Sequence, residues 1–170
     1  MSRQRGTKPL FAAKRGDELS LSSATLLDLL RAVLNRGVPF RFQAKGLSMW
    51  PFIKDGDVIT VCPLKDQRLL KGDIVAFIHP GNGRLAVHRI MRERAGGFDL
   101  KGDNVMETDG IVRRENILGV VSRIERHGKP VAAGIGRWKA LIAFLSRCGL
   151  FSMRPGLFIG KARHFFARKG

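Results

Sequence analysis

The first hydrophobic pattern along the chain is a repeat of apolar residues at helical spacing. The members of this repeat are Leu26, Leu27, Leu30, Val33 and Leu34. Ser22 or Ser23 can cap its start, and Gly37 followed by Pro39 ends it. The pattern predicts an amphipathic helix packed on the core. Binding of a partner, or half of a DNA-reading motif, is the alternative, although no second helix follows at helix-turn-helix spacing.

Between residues 40 and 125 the apolar positions change to short β-branched and alternating runs. These runs predict six strands, at residues 40–42, 57–62, 73–78, 85–91, 98–101 and 117–124. Turns rich in glycine and proline join them, among them Pro80-Gly81-Asn82-Gly83, which predicts a hairpin. The fold class that follows is mainly antiparallel β with flanking helices.

Helical spacing returns near the C-terminus. It involves Trp138, Leu141, Ile142 and Leu145, and after Pro155 it restarts with Phe158, Ala162 and Phe165. Basic residues flank both stretches, and no acidic residue follows Glu125. Basic amphipathic helices suit the surface of an anionic membrane. Helices that pack on the β domain and hold their charges in solvent are the alternative.

The composition further limits the class of protein and the kind of partner. A chain of 170 residues with 44% hydrophobic residues is typical of one globular domain. Its net charge of +17 indicates an anionic partner, either nucleic acid or a membrane surface. No apolar run has the 18 or more residues that a membrane span needs, and no signal-peptide core is present, so a cytoplasmic or peripheral membrane location is expected. Cys62 and Cys148 have no paired spacing, so neither a disulfide nor a metal site is predicted.

Candidate chemistry begins at Gly46-Leu47-Ser48-Met49-Trp50-Pro51, where glycine and proline predict a tight, exposed turn that presents Ser48. A serine hydroxyl needs a base, and histidine oriented by a carboxylate is the usual one. His88 lies on a predicted strand, and Asp103 and Asp109 lie in a polar loop. Each residue alone has an ordinary structural explanation. The hypothesis of a serine nucleophile with a histidine base therefore depends on the order and spacing of all of these residues in the chain.

Four ordered segments together resemble the type I signal peptidases, in particular their histidine-containing branch. They are Gly46–Pro51, Lys71–Phe77, Val87-His88-Arg89-Ile90 and Lys101-Gly102-Asp103-Asn104, and Gly119-Val120-Val121 is similar to the closing strand of that family. The resemblance covers about residues 40 to 125. The related LexA-like repressors share the serine segment but use a lysine base, and His88 stands where that lysine would fall.

The resemblance implies a serine endopeptidase that cleaves a signal or leader peptide after a small residue, with no metal or cofactor. Ser48 would be the nucleophile, His88 the general base and Asp109 the third member, with Asp103 in a supporting position. Whether Asp109 or Asp103 orients His88 is left open. The backbone N–H of Ser48 would stabilise the oxyanion, and Gly46 and Met49 would contact a peptide or preprotein substrate extended along a strand edge.

The resemblance also divides the chain. Residues 1–18 form a basic tail that is expected to be disordered, residues 19–130 form a β-ribbon catalytic domain with its leading helix, and residues 131–170 form a basic segment that could bind an anionic membrane.

The sequence departs from the family pattern in three ways. Gly46 replaces a serine that assists the oxyanion in many relatives, and Phe52 replaces a common threonine. The membrane anchor of the family is expected to be absent, since no apolar run is long enough for it.

Two other functions stay open. A LexA-like regulatory DNA-binding protein would explain the positive charge, but without an evident recognition helix nucleic acid is the less favoured partner. A catalytically inactive relative that binds peptides or membrane is the other. The sequence does not indicate the oligomeric state.

Overall fold

A computed structural model describes residues 22–151, apart from residues 66, 133 and 137. Within that range the chain forms α1 (Ser23–Asn35), β1 (Phe40–Gln43), β2 (Val58–Pro63), β3 (Ile74–Ile78), β4 (Leu85–Arg94), β5 (Gly97–Lys101), β6 (Ile111–Val112), β7 (Ile117–Arg126), β8 (Lys129–Pro130) and α2 (Lys139–Arg147), with a 3₁₀ turn at Arg114–Asn116. The predicted tail at residues 1–18 and the whole of the second C-terminal stretch, after Pro155, lie outside the described residues.

The strands form one antiparallel sheet in the order β1-β2-β7-β3-β4-β5-β6, with β8 paired to β7. The predicted fold class, mainly antiparallel β with flanking helices, is confirmed. The prediction of six strands was too low for the described part of the chain, because β6 and β8 have two residues each and show no alternation.

The sheet curls strongly. Residues of β1 and β4 line the same cleft, although β2, β7 and β3 lie between them in the sheet. Helix α1 packs inside the curl through Leu27, Leu30 and Leu34, as its spacing predicted. Its N-cap is Ser22, whose Oγ accepts a hydrogen bond from the backbone N–H of Thr25 at 3.2 Å.

Two apolar clusters lie on the two faces of the sheet. The cluster inside the curl contains Leu30, Leu34, Met49, Ile53, Ile59, Val61, Ile74, Ala76, Val121 and Ile124. The cluster on the other face contains Leu69, Val75, Phe77, Ile90, Phe98, Leu100, Val112, Ile117 and Val120. Consecutive residues such as Val75 and Ala76 therefore pack in the clusters on opposite faces of the sheet. For this reason β3 is apolar at every position.

Helix α2 packs beside β4 through the buried Ala143 and Ser146. Trp138, Leu141 and Phe144 face outward and are 71%, 47% and 54% exposed. The helical spacing therefore predicted the element, but Trp138 and Leu141 do not point into the core. No helix in the described part of the chain is long and apolar enough to cross a membrane.

Candidate active site

The serine turn follows β1. Gly46 has a φ of +95°, which favours glycine, and its N–H donates to Asp55 Oδ1 at 2.7 Å. The turn closes where the Trp50 N–H donates to the Leu47 carbonyl at 3.1 Å. Gly46, Leu47 and Trp50 are exposed, in agreement with the predicted exposed turn, and Ser48 itself is partly buried. The side chain of Met49, only 4% exposed, anchors the turn in the inner core.

His88 lies on β4 with its ring next to the serine. Its Nε2 is 3.1 Å from Ser48 Oγ, and its Nδ1 is 2.6 Å from Asp109 Oδ2. The ring centroid lies 5.7 Å from that of Phe77, so an apolar wall supports the imidazole. With Nδ1 protonated toward the carboxylate, Nε2 presents a lone pair to the hydroxyl. This is the hydrogen-bond pattern that lets an imidazole remove a serine proton.

The two aspartates that the sequence singled out have different partners. Asp109 contacts His88, and its backbone N–H donates to the Leu100 carbonyl at 2.9 Å, which folds the loop back onto β5. Asp103 is completely buried and forms an ion pair with Arg89, with bonds of 2.7 to 3.2 Å. Of the two, therefore, Asp109 is the one that contacts the imidazole.

The loop after β5 also holds the serine turn in place. The backbone N–H of Asn104 donates to the Ser48 carbonyl at 2.8 Å, and its side-chain Nδ2 donates to the Leu47 carbonyl at 3.1 Å. Gly102 passes very close to the site. A Cβ there would lie 2.7 Å from the Ser48 carbonyl oxygen and 3.1 Å from His88 Nε2. The site therefore needs glycine at this position on steric grounds.

Lys101 joins this loop to α2. Its buried Nζ donates to the Ser146 carbonyl at 2.7 Å, at the C-terminal end of the helix. Burial lowers the pKa of Lys101, while the nearby Asp103 charge opposes that shift. The same Ser146 carbonyl accepts a hydrogen bond from the Gly149 N–H at 3.0 Å, so the ammonium adds a second donor at the end of the helix. Helix α2 is thus attached directly to the segment that supports Ser48.

A cleft of about 820 Å³ leads to Ser48 and His88. One wall comes from β1 and the following residues, including Lys45 and Gly46, and the other from Leu85 to His88. Gly46 and Met49, the predicted substrate contacts, both border it. In the described residues, no group of three or more His, Cys, Asp or Glu side chains is placed to hold a metal ion.

A family model described as Peptidase S24-like matches residues 4–122, more than half of the chain. The chain belongs to this family. Membership of the S24-like family supports a serine peptidase or a LexA-like function in general. The histidine-containing signal-peptidase branch is a finer assignment and stays a prediction. No curated protein matches the chain at a significant level.

Three residues of this S24-like site were not assigned a role from the sequence. Arg89 neutralises Asp103, Gly102 allows the loop to approach Ser48, and His79 contacts Asp109 through Nε2 and Oδ1 at 3.3 Å. Gly102 and Arg89 belong to the ordered segments, so their presence there was a signal. His79 follows a strand and precedes a proline, which gave no sign that it reaches the site.

Proposed function

We propose that this protein is a serine endopeptidase of signal-peptidase type. The observation that supports it best is the continuous hydrogen-bonded path from Ser48 Oγ through the His88 ring to Asp109, with distances of 3.1 and 2.6 Å. A path of this kind supplies both the base for the nucleophile and the group that orients the base. It opens into a cleft large enough for an extended peptide.

In the proposed reaction, Ser48 Oγ attacks the substrate carbonyl carbon while His88 Nε2 takes the hydroxyl proton. Asp109 stabilises the imidazolium that results. His88 then gives the proton to the leaving amine as the peptide C–N bond breaks, which leaves an acyl-enzyme on Ser48. Water, deprotonated by His88, attacks the ester and releases the acid product and the free serine. The backbone N–H of Ser48 is the proposed donor to the oxyanion in both steps.

The proposed substrate is an extended peptide, a signal or leader segment cut after a small residue. Two strand edges border the cleft. In the described chain β1 pairs with β2 alone, and Leu85 to His88 pair with β3 alone, because pairing with β5 begins at Arg89. Unpaired backbone groups on these edges can hydrogen-bond an added strand. Both edges lead to Ser48 and His88, and the preference for a small residue depends on the family resemblance.

Replacement of Ser48 by alanine tests the peptidase directly. Incubation with a mixed peptide library, followed by mass spectrometry of new termini, should give cleavage by the wild type and none by Ser48→Ala. Circular dichroism should show the variant folded, and Ser122→Ala, at an exposed position of β7 outside the cleft, should cleave normally. Equal cleavage by Ser48→Ala would exclude the assignment. A wild type that cleaves nothing would favour the inactive, peptide-binding relative.

A LexA-like DNA-binding regulator is the second candidate, favoured by family membership and by the charge of +17. In the described residues α1 and α2 are separated in sequence by the whole sheet, and they do not form a helix-turn-helix. A gel-shift titration at moderate salt separates the two proposals, because phosphate contacts give strongly salt-dependent binding.

We also propose an anionic membrane surface as a partner, through residues 131–170. The outward face of α2 supports it, because Trp138, Leu141 and Phe144 are exposed side by side at helical spacing. Aromatic and aliphatic side chains of this kind insert at the headgroup boundary, and basic residues add attraction to anionic lipids. Since Lys101 bonds the end of α2, such a surface would lie next to the catalytic loop.

A further inference from the structure

Asp109 is shared by two histidines. Its Oδ2 lies 2.6 Å from Nδ1 of His88, and its Oδ1 lies 3.3 Å from Nε2 of His79. The carboxylate is 10% exposed, so these contacts are largely shielded from water. Both rings also lean on Phe77, with centroids 5.7 Å and 6.3 Å from the phenyl centroid. The proposed triad is therefore part of a larger His–Asp–His cluster.

Hydrogen bonding fixes the tautomer of His79. The backbone N–H of Gly81 donates to His79 Nδ1 at 3.0 Å, so this nitrogen acts as an acceptor and carries no proton in the neutral ring. The ring proton then lies on Nε2, which faces Asp109. His79 therefore turns its protonated nitrogen toward the carboxylate, in a polar contact of 3.3 Å. The hairpin that sets its position is itself closed by the His79 N–H, which donates to the Arg84 carbonyl at 2.9 Å.

A carboxylate with one contact is not fixed in orientation. The terminal torsion of aspartate is broad, so a bond through Oδ2 alone leaves the plane of the group free to turn. The backbone of Asp109 is held by its bond to Leu100, but that bond does not restrain the side chain. The N–H of His79, 3.3 Å from Oδ1, is a second polar contact, and it restricts that turning.

We propose that His79 is a positioning residue that fixes the Asp109 carboxylate and, through it, the tautomer and orientation of His88. The inference rests on the proposed peptidase function for its effect on rate, but its effect on the His88 ring does not depend on any substrate. His79 does not touch Ser48 in this scheme and takes no proton from it. Its contribution is the restraint on the carboxylate.

Two amide substitutions separate this role from a simple turn-forming role. In His79→Asn the new side-chain amide falls near the position of Nδ1, so it can keep the bond to Gly81 but cannot reach Asp109. The longer amide in His79→Gln falls near the position of Nε2, so it can donate to Asp109 and loses the Gly81 contact. The positioning role predicts damage in His79→Asn and rescue in His79→Gln, and a turn-forming role predicts the reverse.

The first measurement is ¹⁵N–¹H NMR of the imidazole rings in the full chain, at a pH where both rings are neutral. In the wild type His79 should carry its proton on Nε2 and His88 on Nδ1. In His79→Asn the Nδ1 proton of His88 should shift upfield and its nitrogen shifts should indicate mixed tautomers, whereas His79→Gln should match the wild type. An unchanged His88 spectrum in His79→Asn would overturn the proposal.

The second measurement is cleavage of a library peptide identified with the wild type. His79→Asn should lower kcat roughly tenfold with KM unchanged, as expected when one polar contact with a charged group is lost. A larger loss in His79→Gln than in His79→Asn would refute the role. If no peptide is cleaved by any form, the peptidase proposal fails while the NMR result still decides the role of His79.

Discussion

Arg89 and Asp103 form an ion pair that is completely withdrawn from solvent, directly behind the serine turn. The guanidinium donates to both carboxylate oxygens and also to the carbonyls of Gly72 and Gly134, at 2.8 and 2.7 Å. Its remaining face lies over the Phe52 ring, with the guanidinium carbon 5.4 Å from the centroid. One arginine thus joins β4, the loop after β5 and the segment that leads to α2.

Removal of either partner of this pair should destabilise the protein strongly. Asp103→Leu leaves the Arg89 charge buried without compensation, and the expected loss in the free energy of unfolding is about 3–5 kcal/mol. Arg89→Met should cost a similar amount, because it leaves the Asp103 carboxylate buried without its charged partner. Urea denaturation measures both.

The matched control is the double variant Arg89→Met with Asp103→Leu. Because each single change already forfeits the pair, the double variant should lose much less than the sum of the two single losses. Additive losses would show that Arg89 and Asp103 are not energetically coupled. Their ion pair would then contribute nothing to the free energy of unfolding.

Asp109→Asn should leave the fold intact and abolish most of the proposed activity. An asparagine can donate its amide N–H to Nδ1 of His88, which places the ring proton on Nε2, facing Ser48. A protonated Nε2 cannot accept the hydroxyl proton, so kcat should fall by on the order of 10²–10⁴. Steady-state kinetics should show the loss in kcat rather than KM. Asp99→Asn, which disturbs ion pairs with Arg92 and Arg94 on the same sheet, should keep its activity.

Gly102→Ala tests the close approach of the loop to the serine. The added Cβ would lie 2.7 Å from the Ser48 carbonyl oxygen and 2.9 Å from Val105 Cγ2, so the loop must move. Displacement of a nucleophile by less than about 1 Å is expected to cost on the order of 10- to 100-fold in rate. Gly128→Ala is the control, since nothing lies within 4 Å of its Cβ position. It should lose some stability from its φ of +74° but keep its rate.

The sequence predicted the path from Ser48 to His88 because both residues belong to short ordered segments whose turn and strand character are local properties. It also predicted α1, whose apolar stripe and Ser22 cap are readable within one element. What it left open was whether Asp103 or Asp109 contacts the histidine. That choice depends on Arg89, which lies on a different strand and withdraws Asp103 from the site.

The remaining features depend on tertiary distances that spacing does not contain. His79 reaches Asp109 because β3 and β4 form a hairpin beside the loop after β5, and thirty residues of chain separate the two side chains. For the same reason, the sequence left open whether Trp138 faces outward or packs on the β domain. Periodicity gives a helix an apolar face, but the contact of Lys101 with Ser146 decides which face is buried.

Acid should destabilise the protein through Asp57. Burial acts to raise the pKa of Asp57, but hydrogen bonds from Arg126 and from the Lys54 N–H outweigh it, so the pKa is lowered from its ordinary value of 3.8. Because the folded-state pKa is below the unfolded one, the stabilisation is complete above the unfolded value and is lost as pH falls through the folded value. Urea unfolding at a series of pH values should show this decline.

Two variants test whether Asp57 causes this loss of stability in acid. Asp57→Asn should be less stable at neutral pH and should show a shallower decline in acid, since the titrating group is gone. Arg126→Gln should flatten the curve in the same way, because it removes the bonds of 2.9 and 2.8 Å that favour the charged carboxylate. A decline as steep as that of the wild type in both variants would assign the acid sensitivity to other groups.

The proposed membrane surface gives a prediction that does not depend on catalysis. The full chain should float with vesicles that contain anionic phospholipid and should stay in the soluble fraction with purely zwitterionic vesicles, because electrostatic attraction adds to apolar insertion. Serine in place of Trp138 and Phe144 removes exposed apolar area without changing the net charge. This double variant should float much less, since the two rings account for much of the apolar face of α2.

Leu29→Ser is the matched control, because Leu29 is also exposed, at 43%, but lies on α1. It should float like the wild type, and rising salt should weaken flotation of both by screening their charges. A wild type that never floats would exclude the membrane as a partner. Undiminished flotation of the double serine variant would exclude the outward face of α2, because the apolar contacts must then come from elsewhere in the chain. Loss in the double variant with retention in Leu29→Ser would place the bilayer beside the loop that supports Ser48, where a substrate emerging from a membrane could reach the cleft.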